Sequence, residues 1–217
     1  MSPQPDEPAL SLLGAGDHAR VVAAAAALGG IRLRGCWGDV RGAGLPLLGS
    51  DADLSERPEE WRSARFHLAF VGAPGSTARR AAAARWDAAG LAWLTIVHPG
   101  ALVDPGADVE AGAYVGPGAI VNTGARVGRH AVINSAAVIE HDVRIGAGAH
   151  VAPGAVIGGG AVIGAWAFVG LGSRIRDHVE VGEAAVVAMG AVVAASVPPG
   201  ATVRGVPARV APLTSQS

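Results

Sequence analysis

A valine or isoleucine occupies every sixth position from Val97 to Val193, without exception or insertion. Most of these positions are followed four residues later by a small side chain, as at Ala101, Ala113 and Ala137. Side chains repeat every 3.6 residues on a helix and every two residues on a strand, so neither element explains a period of six. The period predicts a β-helix of hexapeptide repeats, in which each repeat is one short strand and one turn.

The repeat resembles that of left-handed parallel β-helices, in which three hexapeptides form one triangular coil. In that architecture residue n stacks against residue n+18, and adjacent coils lie about 4.8 Å apart. The valine or isoleucine and the small residue four positions later point inward, and the other four residues of each repeat point outward. The sides rich in Ala and Gly suit packing against copies of the same chain, and a homotrimer is expected for this architecture.

The segment before the repeats alternates between apolar strands and helical patterns. Such alternation predicts a small, Rossmann-like parallel α/β domain. The predicted elements are a strand at 9–13, a glycine turn at 14–18, a helix at 19–28, a strand at 31–37, a strand at 68–71 and a helix at about 77–89.

These patterns predict two domains flanked by two tails. Residues 1–8 are polar and proline-rich and are expected to be disordered. The Rossmann-like domain spans 9–95 and the β-helix spans 96–197. Residues 198–217 form a capping tail, which starts where Pro198 and Pro199 end the coil.

Composition excludes several classes of function. The formal net charge is −1, which argues against a nucleic-acid-binding surface. All 17 basic residues are arginines, so no lysine can act as a catalyst. The single Cys36 cannot form an internal disulfide, which is typical of a reducing, cytoplasmic location. No apolar run reaches 18 residues and no signal-peptide pattern is present, so neither a membrane span nor secretion is expected.

One repeat carries three consecutive ionisable residues, unlike most of its neighbours. Glu140, His141 and Asp142 follow one another at outward positions. An imidazole beside a carboxylate can act as a general base near neutral pH, because the carboxylate orients the ring and stabilises its protonated form. Eighteen residues after His141 lies Gly159, whose bare backbone can offer an N–H group to an oxyanion. Two further polar interruptions flank this repeat, at Asn134 and His150.

Three segments together resemble the bacterial nucleotide-sugar acetyltransferases. These are the enzymes related to perosamine and bacillosamine-pathway N-acetyltransferases and to sialic acid O-acetyltransferase. Residues 133–142, Ile-Asn-Ser-Ala-Ala-Val-Ile-Glu-His-Asp, followed by His150, look like their active-site stretch. Residues 12–22 are similar to their N-terminal glycine turn. Residues 197–209 resemble the usual end of hexapeptide acyltransferases.

The resemblance implies an acetyl-CoA-dependent N-acetyltransferase that acts on the 4-amino group of a nucleotide-linked 4-amino-4,6-dideoxy sugar. His141 is then the base that takes a proton from the amine, and Asp142 orients it. Asn134 and Glu140 lie on the substrate side, with Asn134 holding the sugar or the base. No metal is required, and the product serves cell-surface glycan synthesis.

The resemblance also implies residues for the acyl donor. The Gly159 N–H meets the thioester oxygen, and His150 contacts the acetyl-CoA side of the site. CoA lies along the coils between neighbouring subunits. Its further expected contacts are Leu171, Gly172, Met189 and Gly190, with Arg204 and Arg209 as candidates for its phosphates.

The glycine turn is expected to bind the nucleotide half of the sugar substrate. Gly14 and Gly16 direct backbone N–H groups and a helix N-terminus toward a phosphate. His18 can add a donor, and Asp39, after the second strand, can contact the ribose or base. Asp17 stands where this family usually has glycine. Its carboxylate would repel a pyrophosphate unless the side chain turns away to cap the helix.

Other interpretations remain open at this point. His178, in the charged repeat 175–180, is a rival base, but a solvated turn or subunit salt bridge is the role expected of it. A zinc site like that of γ-type carbonic anhydrases needs two histidines five residues apart, and this chain has no such pair. The runner-up activity is sialic acid O-acetylation. A non-catalytic, nucleotide-sugar-binding scaffold is the third alternative.

Overall fold

The computed structural model describes residues 9–38 and 44–211. The expected disordered tail at 1–8 therefore lies outside the described residues. The chain divides into two compact units, Met1–Pro99 and Gly100–Ser217. The first is a small α/β unit and the second is a parallel β-helix of about six coils, so the predicted fold class is confirmed.

The first unit contains a four-stranded parallel sheet in the order β3-β2-β1-β4. Its core is made of apolar strand residues such as Leu10, Leu12 and Phe66, all fully buried. Its elements are β1 (Ala9–Leu13), α1 (Asp17–Leu28), β2 (Leu33–Trp37), β3 (Leu47–Gly49), α2 (Asp51–Ser55), α3 (Pro58–Ser63), β4 (Ala64–Leu68) and α4 (Ala78–Ala88).

Several boundaries in this unit differ from the predictions. The strand predicted at 68–71 lies four residues earlier, at Ala64–Leu68, because His67 is buried beside Phe66 and pairs within the sheet despite being polar. The third strand and two short helices at 47–63 were not predicted. One of these helices does carry a sequence signal. Ser50 and Asp53 form a reciprocal capping box at its first turn.

The β-helix is built from strands of two residues, separated by turns. They are β5 (Ile96–Val97), β6 (Leu102–Val103), β7 (Asp108–Val109), β8 (Tyr114–Val115), β9 (Ile120–Val121), β10 (Arg126–Val127), β11 (Val132–Ile133), β12 (Val138–Ile139), β13 (Arg144–Ile145), β14 (His150–Val151), β15 (Val156–Ile157), β16 (Val162–Ile163), β17 (Phe168–Val169), β18 (Arg174–Ile175), β19 (Glu180–Val181), β20 (Val186–Val187) and β21 (Val192–Val193). Within the second unit the three sheets run β6-β9-β12-β15-β18-β21, β7-β10-β13-β16-β19 and β8-β11-β14-β17-β20.

The predicted offset of 18 residues holds between stacked strands, as in Val138 opposite Val156 and Ile139 opposite Ile157. The inward positions are also as predicted from Ala113 onward, where the repeated valines, isoleucines and alanines form one continuous buried core. Residues other than alanine also occupy the small inward position and remain buried there. Val143 is fully buried there, and Ser173 is buried because its hydroxyl donates to the Gly170 carbonyl at 2.7 Å.

The first members of the series are less buried than predicted. Val97 is 40 % exposed, whereas its neighbour Ile96 is fully buried. Val103 and Val109 are only partly buried. These residues belong to the earliest repeats, which have no preceding repeat to cover them, so the inward series becomes a true core only from the second coil.

The regular period ends near Pro198 and Pro199, but strand pairing continues past them. A further strand, β22 (Thr202–Arg204), pairs in parallel with β20, and β23 (Arg209–Val210) then folds back antiparallel to it. Val186 pairs with Thr202, an offset of 16 instead of 18. The tail thus adds two strands to one face of the β-helix.

The turns stack into three corners, and the functional residues lie on two of them. Corner 1 comprises residues 123–124, 141–142, 159–160 and 177–178; corner 2 comprises 135–136, 153–154, 171–172 and 189–190; corner 3 comprises 129–130, 147–148, 165–166 and 183–184. The second residue of each pair has a positive φ, which favours glycine. Six non-glycine residues adopt it: His130, Ala136, Asp142, Trp166, His178 and Ala184.

The continuity of the core makes a graded prediction. Ile157 is fully buried between coils. We expect Ile157→Ala to lower the free energy of unfolding by about 2–5 kcal/mol and Ile157→Val by about 0.5–1.5 kcal/mol, because the larger truncation leaves the larger cavity. Urea unfolding of the two variants beside the parent protein measures this, and equal losses would contradict the packing described.

Candidate active site

The predicted base and its carboxylate are in contact at corner 1. Nδ1 of His141 lies 3.0 Å from Oδ2 of Asp142. Both side chains are exposed, by 59 % and 73 %, so a substrate can reach them from solvent. With Nδ1 bonded to the carboxylate, the other ring nitrogen, Nε2, is the one left to accept a proton.

The Nε2 atom of His141 lies over the bare backbone of Gly159. A Cβ atom built on Gly159 would lie 2.6 Å from Nε2, so the ring fills the space that a side chain would take. The Gly159 N–H has no acceptor among the described residues, whereas the neighbouring Gly158 and Gly160 N–H groups both donate within the β-helix. A base and an open backbone donor are therefore adjacent.

A glycine of the preceding coil also makes room for Asp142. A Cβ atom on Gly124 would lie 2.5 Å from Oδ1 of Asp142, so this carboxylate folds back over the coil before it. The Asp142 N–H donates to the Thr123 carbonyl at 3.1 Å, which ties the turn to the same coil. The side chain of Glu140 accepts from Nδ2 of Asn122 at 3.0 Å. The predicted substrate residue Glu140 is thus anchored from one coil below.

Asn134 and His150 form a second polar pair, next to corner 2. The Asn134 amide orientation is fixed because its Oδ1 accepts from the Ser135 N–H at 2.8 Å. Its Nδ2 then faces Nε2 of His150 at 3.3 Å and can only donate to it. The proton of a neutral His150 therefore sits on Nδ1. The ring also meets Phe168 edge-on, with centroids 5.1 Å apart.

The predicted CoA residues lie on corner 2 and on the final hairpin. Leu171 and Met189 stack 18 residues apart and are 50 % and 74 % exposed. Gly172 and Gly190, which follow them, would place no Cβ within 4 Å of any neighbour, so the surface is open there. Arg204 and Arg209 are exposed cross-strand partners, an arrangement in which two guanidinium groups can bind a phosphate.

One chain does not bring all of the predicted β-helix residues together. Glu140, His141, Asp142 and Gly159 belong to corner 1 or the strand end beside it. Another set belongs to corner 2 or its edges, one side of the triangular coil away: Asn134, His150, Leu171, Gly172, Met189 and Gly190. The two sets are therefore separated within one chain by a side of the triangular coil.

In the first unit, the glycine turn is open at Gly16 but not at Gly14. Gly14 has a φ of 110°, its N–H donates to the Trp37 carbonyl at 2.7 Å, and a Cβ atom on it would lie 3.1 Å from the Phe70 ring. The prediction that the Gly14 N–H is directed toward a phosphate is therefore wrong. A Cβ atom on Gly16 would meet nothing within 4 Å. Asp17 is 91 % exposed and pairs with Arg20 at 3.2 Å, so its carboxylate turns away from the loop. It does not cap α1, because Gly16 is the N-cap and no side chain caps the helix.

His18 and the buried Arg79 give this turn its electrostatic character. Arg79 is 5 % exposed, and its Nε donates to the Phe70 carbonyl at 2.7 Å. Burial lowers the pKa of Arg79 to about 10, which leaves it protonated at neutral pH. Burial, and then the Arg79 charge, lower the pKa of His18 to about 4, so His18 is neutral. The predicted nucleotide contact Asp39 lies outside the described residues.

Residues 9–38 and 44–211 contain no group of three or more His, Cys, Asp or Glu side chains arranged to hold a metal ion. Cys36 is buried in the first unit, where burial raises the pKa of its thiol. No described helix has the length and apolar character needed to cross a membrane.

Four residues of these environments were not identified from the sequence: Asn122, Gly124, Phe168 and Arg79. The first three are related to predicted residues by the coil offset, since Asn122 is 18 residues before Glu140, Gly124 is 18 before Asp142, and Phe168 is 18 after His150. Applying the offset to every candidate would have found them. Nothing in the sequence distinguishes Arg79 from the exposed arginines of the same helix.

Part of the chain matches a known protein family in sequence. A family described as the GMPPB C-terminal domain matches residues 97–198. No match was found among curated proteins.

Three solved structures cover nearly the whole chain. PerB from Caulobacter crescentus, in complex with CoA and GDP-perosamine, is 29 % identical, with a TM-score of 0.85 over 94 % of this chain and 97 % of that one. The acetyltransferase domain of PglB from Neisseria gonorrhoeae FA1090, in complex with acetyl coenzyme A, is 30 % identical, with a TM-score of 0.86 over 94 % and 100 %. WeeI from Acinetobacter baumannii AYE shares the fold at 22 % identity, with a TM-score of 0.71 over 94 % and 99 %.

The likeness extends over both units, since 94 % of this chain is aligned with PerB and with the PglB domain. The PglB domain is an acetyltransferase domain that holds acetyl coenzyme A in its structure, and PerB holds CoA in its own. The chain therefore belongs to the sugar acetyltransferases of the hexapeptide-repeat superfamily and is an acyltransferase.

Proposed function

We propose that this enzyme transfers the acetyl group of acetyl-CoA to the 4-amino group of a GDP- or UDP-linked 4-amino-4,6-dideoxy sugar. The observation that carries the proposal is the adjacency of a carboxylate-bound imidazole and an open backbone N–H, in His141, Asp142 and Gly159. Support for the acceptor comes from PerB, whose structure holds GDP-perosamine together with CoA. The enzyme would serve cell-surface glycan synthesis in the cytoplasm.

The proposed reaction needs no covalent enzyme intermediate. The amine nitrogen attacks the thioester carbonyl carbon, and its proton passes to Nε2 of His141. Asp142 stabilises the resulting imidazolium, while the Gly159 N–H donates to the oxyanion. The C–S bond then breaks, the amide product forms, and the thiolate of CoA takes the proton from the His141 imidazolium, which restores the base. No cysteine lies in the β-helix to accept the acetyl group.

The proposed active site is shared between copies of the chain in a homotrimer. Support comes from the division of the predicted residues between corner 1 and corner 2. A donor placed between two chains can bring its thioester to Gly159 of one and lay its apolar arm on Leu171 and Met189 of the other. Arg204 and Arg209 would bind its phosphates.

The first unit would bind the nucleotide part of the acceptor. Gly16 leaves the start of α1 open, and the protonated Arg79 favours an anion there. Asp17 does not oppose this binding, because its carboxylate faces solvent and is paired with Arg20. His18, which is neutral, can donate one hydrogen bond.

A thiol-release assay with acetyl-CoA and a panel of acceptors tests the activity. We expect turnover with a UDP- or GDP-linked 4-amino-4,6-dideoxy sugar. Turnover only with CMP-sialic acid or free sialic acid would replace the proposal with O-acetylation. Binding of nucleotide sugar with neither CoA binding nor turnover would replace it with a binding scaffold.

Removal of the base should abolish chemistry and leave the ligands bound. We expect His141→Ala to lower kcat by about 10²–10⁴-fold, because the attacking amine loses its proton acceptor. Asp142→Asn should cost less, since the base itself remains. Steady-state kinetics with calorimetric measurement of CoA binding checks both. A His141→Ala variant with near-parental kcat would refute the assignment of the base.

A methyl group on the glycine beneath the base should also impair the reaction. We expect Gly159→Ala to lower kcat on the order of 10²-fold, because its Cβ would displace the imidazole from its position. Gly154→Ala is the matched control. That position has open space and occupies the corner slot that Ala136 fills one coil earlier. Similar losses of kcat in the two variants would show that the effect is not specific to His141.

A further inference from the structure

A second imidazole faces the glycine floor of corner 1 from the side opposite His141. A Cβ atom on Gly160 would lie 2.5 Å from Nδ1 of His178, so this ring packs on Gly160 as His141 packs on Gly159. Gly159 and Gly160 are neighbours, with Cα atoms about 3.8 Å apart. His141 lies one coil before them and His178 one coil after, each coil being about 4.8 Å away.

Backbone hydrogen bonds hold these three coils in register at this corner. The Gly160 N–H donates to the His141 carbonyl at 2.9 Å, and the His178 N–H donates to the Gly159 carbonyl at 3.0 Å. The two rings therefore lie over neighbouring glycines of the middle coil, His141 from the coil before and His178 from the coil after.

The backbone at His178 is unfavourable for a side chain. Its φ is 55°, in the left-handed region that costs a non-glycine residue roughly 1–2 kcal/mol. Gly124 and Gly160 occupy the same slot in other coils, and the two exceptions at corner 1 are Asp142 and His178. One of the two already supports the base. Residues kept in such conformations concentrate at functional sites.

The His178 ring also has hydrogen-bonding capacity to spare. Within residues 9–38 and 44–211, neither of its nitrogens has a hydrogen-bond partner, and the ring is exposed. Asp177 beside it faces Arg176 instead, at 4.0 Å between Oδ1 and Nε. The exposed position of the ring in a turn agrees with the solvated turn expected from the sequence, and the alternative expectation, a salt bridge to another subunit, stays a prediction.

We propose that His178 is a binding residue for the acyl donor and contacts acetyl-CoA next to its thioester. This rests on the proposed function, in which the thioester oxygen meets the Gly159 N–H. Apart from His150, the other residues proposed for CoA all follow Gly159 in the chain, from Leu171 to Arg209. A donor arm that extends from Gly159 in this direction along the stack passes the next coil, which contains His178. The acceptor amine approaches from the His141 side.

Replacement of His178 should weaken the donor and spare the chemistry. We expect His178→Ala to raise the Kd and KM for acetyl-CoA by about fivefold to tenfold, the loss of one hydrogen bond, with kcat changed less than twofold. The KM for the amino-sugar acceptor should stay constant. His178→Asn, which keeps a donor and favours the same backbone, should recover most of the affinity.

The experiment measures CoA binding by calorimetry and both KM values by steady-state kinetics. Glu180→Gln, an exposed residue of the same coil on the adjoining strand, is the matched control. Unchanged Kd and KM for the donor in His178→Ala would overturn the proposal, as would a selective rise in the acceptor KM. A fall in kcat as large as that of His141→Ala would make His178 the base and also overturn it. If the parent protein binds no CoA, the proposed function itself fails.

Discussion

The stacking of one coil on the next, every 18 residues, is the constraint on which the rest of the molecule depends. Because backbone hydrogen bonds fix the separation at one strand spacing, a corner side chain that folds along the stack occupies the space of a Cβ in the adjacent coil. Asp142 needs Gly124 beneath it, His141 needs Gly159, and His178 needs Gly160. The glycines of corner 1 are thus part of the site. They allow the functional side chains to lie flat against the backbone and expose an N–H beside the base.

The same geometry explains why a single chain holds most of the predicted β-helix residues in two separate groups, one near corner 1 and one near corner 2. Side chains on one corner can contact only the coils above and below it, since the next corner is one side of the triangle away. His141 therefore collects partners from corner 1, and His150 collects Asn134 and Phe168 near corner 2. Assembly of copies around a common axis would join unlike corners, and the active site and the oligomer would then form together.

The β-helix could be predicted from the sequence because a valine or isoleucine occupies every sixth position of its core. An inward slot every six residues is visible without any knowledge of tertiary contacts. The α/β unit offers no such period. Strand β4 contains the buried His67, which interrupts the apolar run that marks a strand. The shortest strand and the shortest helix, β3 and α2, have too few residues to show periodicity. Within the site, contacts that follow the coil offset were accessible, such as Glu140 with Asn122. The burial of Arg79 was not, because it depends on how α4 packs.

The separation of inward from outward positions also explains how one repeat can carry chemistry without weakening the fold. In the repeat from Ile139 to Arg144, Ile139 and Val143 fill the core, while Glu140, His141 and Asp142 face outward. Since the core residues bury the apolar surface, the outward residues are free to be chosen for reactivity alone. The exception is the positive-φ slot, where Asp142 and His178 replace a glycine that the backbone would favour. At these two positions the proposed role of the side chain is set against the backbone preference, whereas Ala136 and Ala184 show that the same slot at the other corners accepts a side chain without reactive groups.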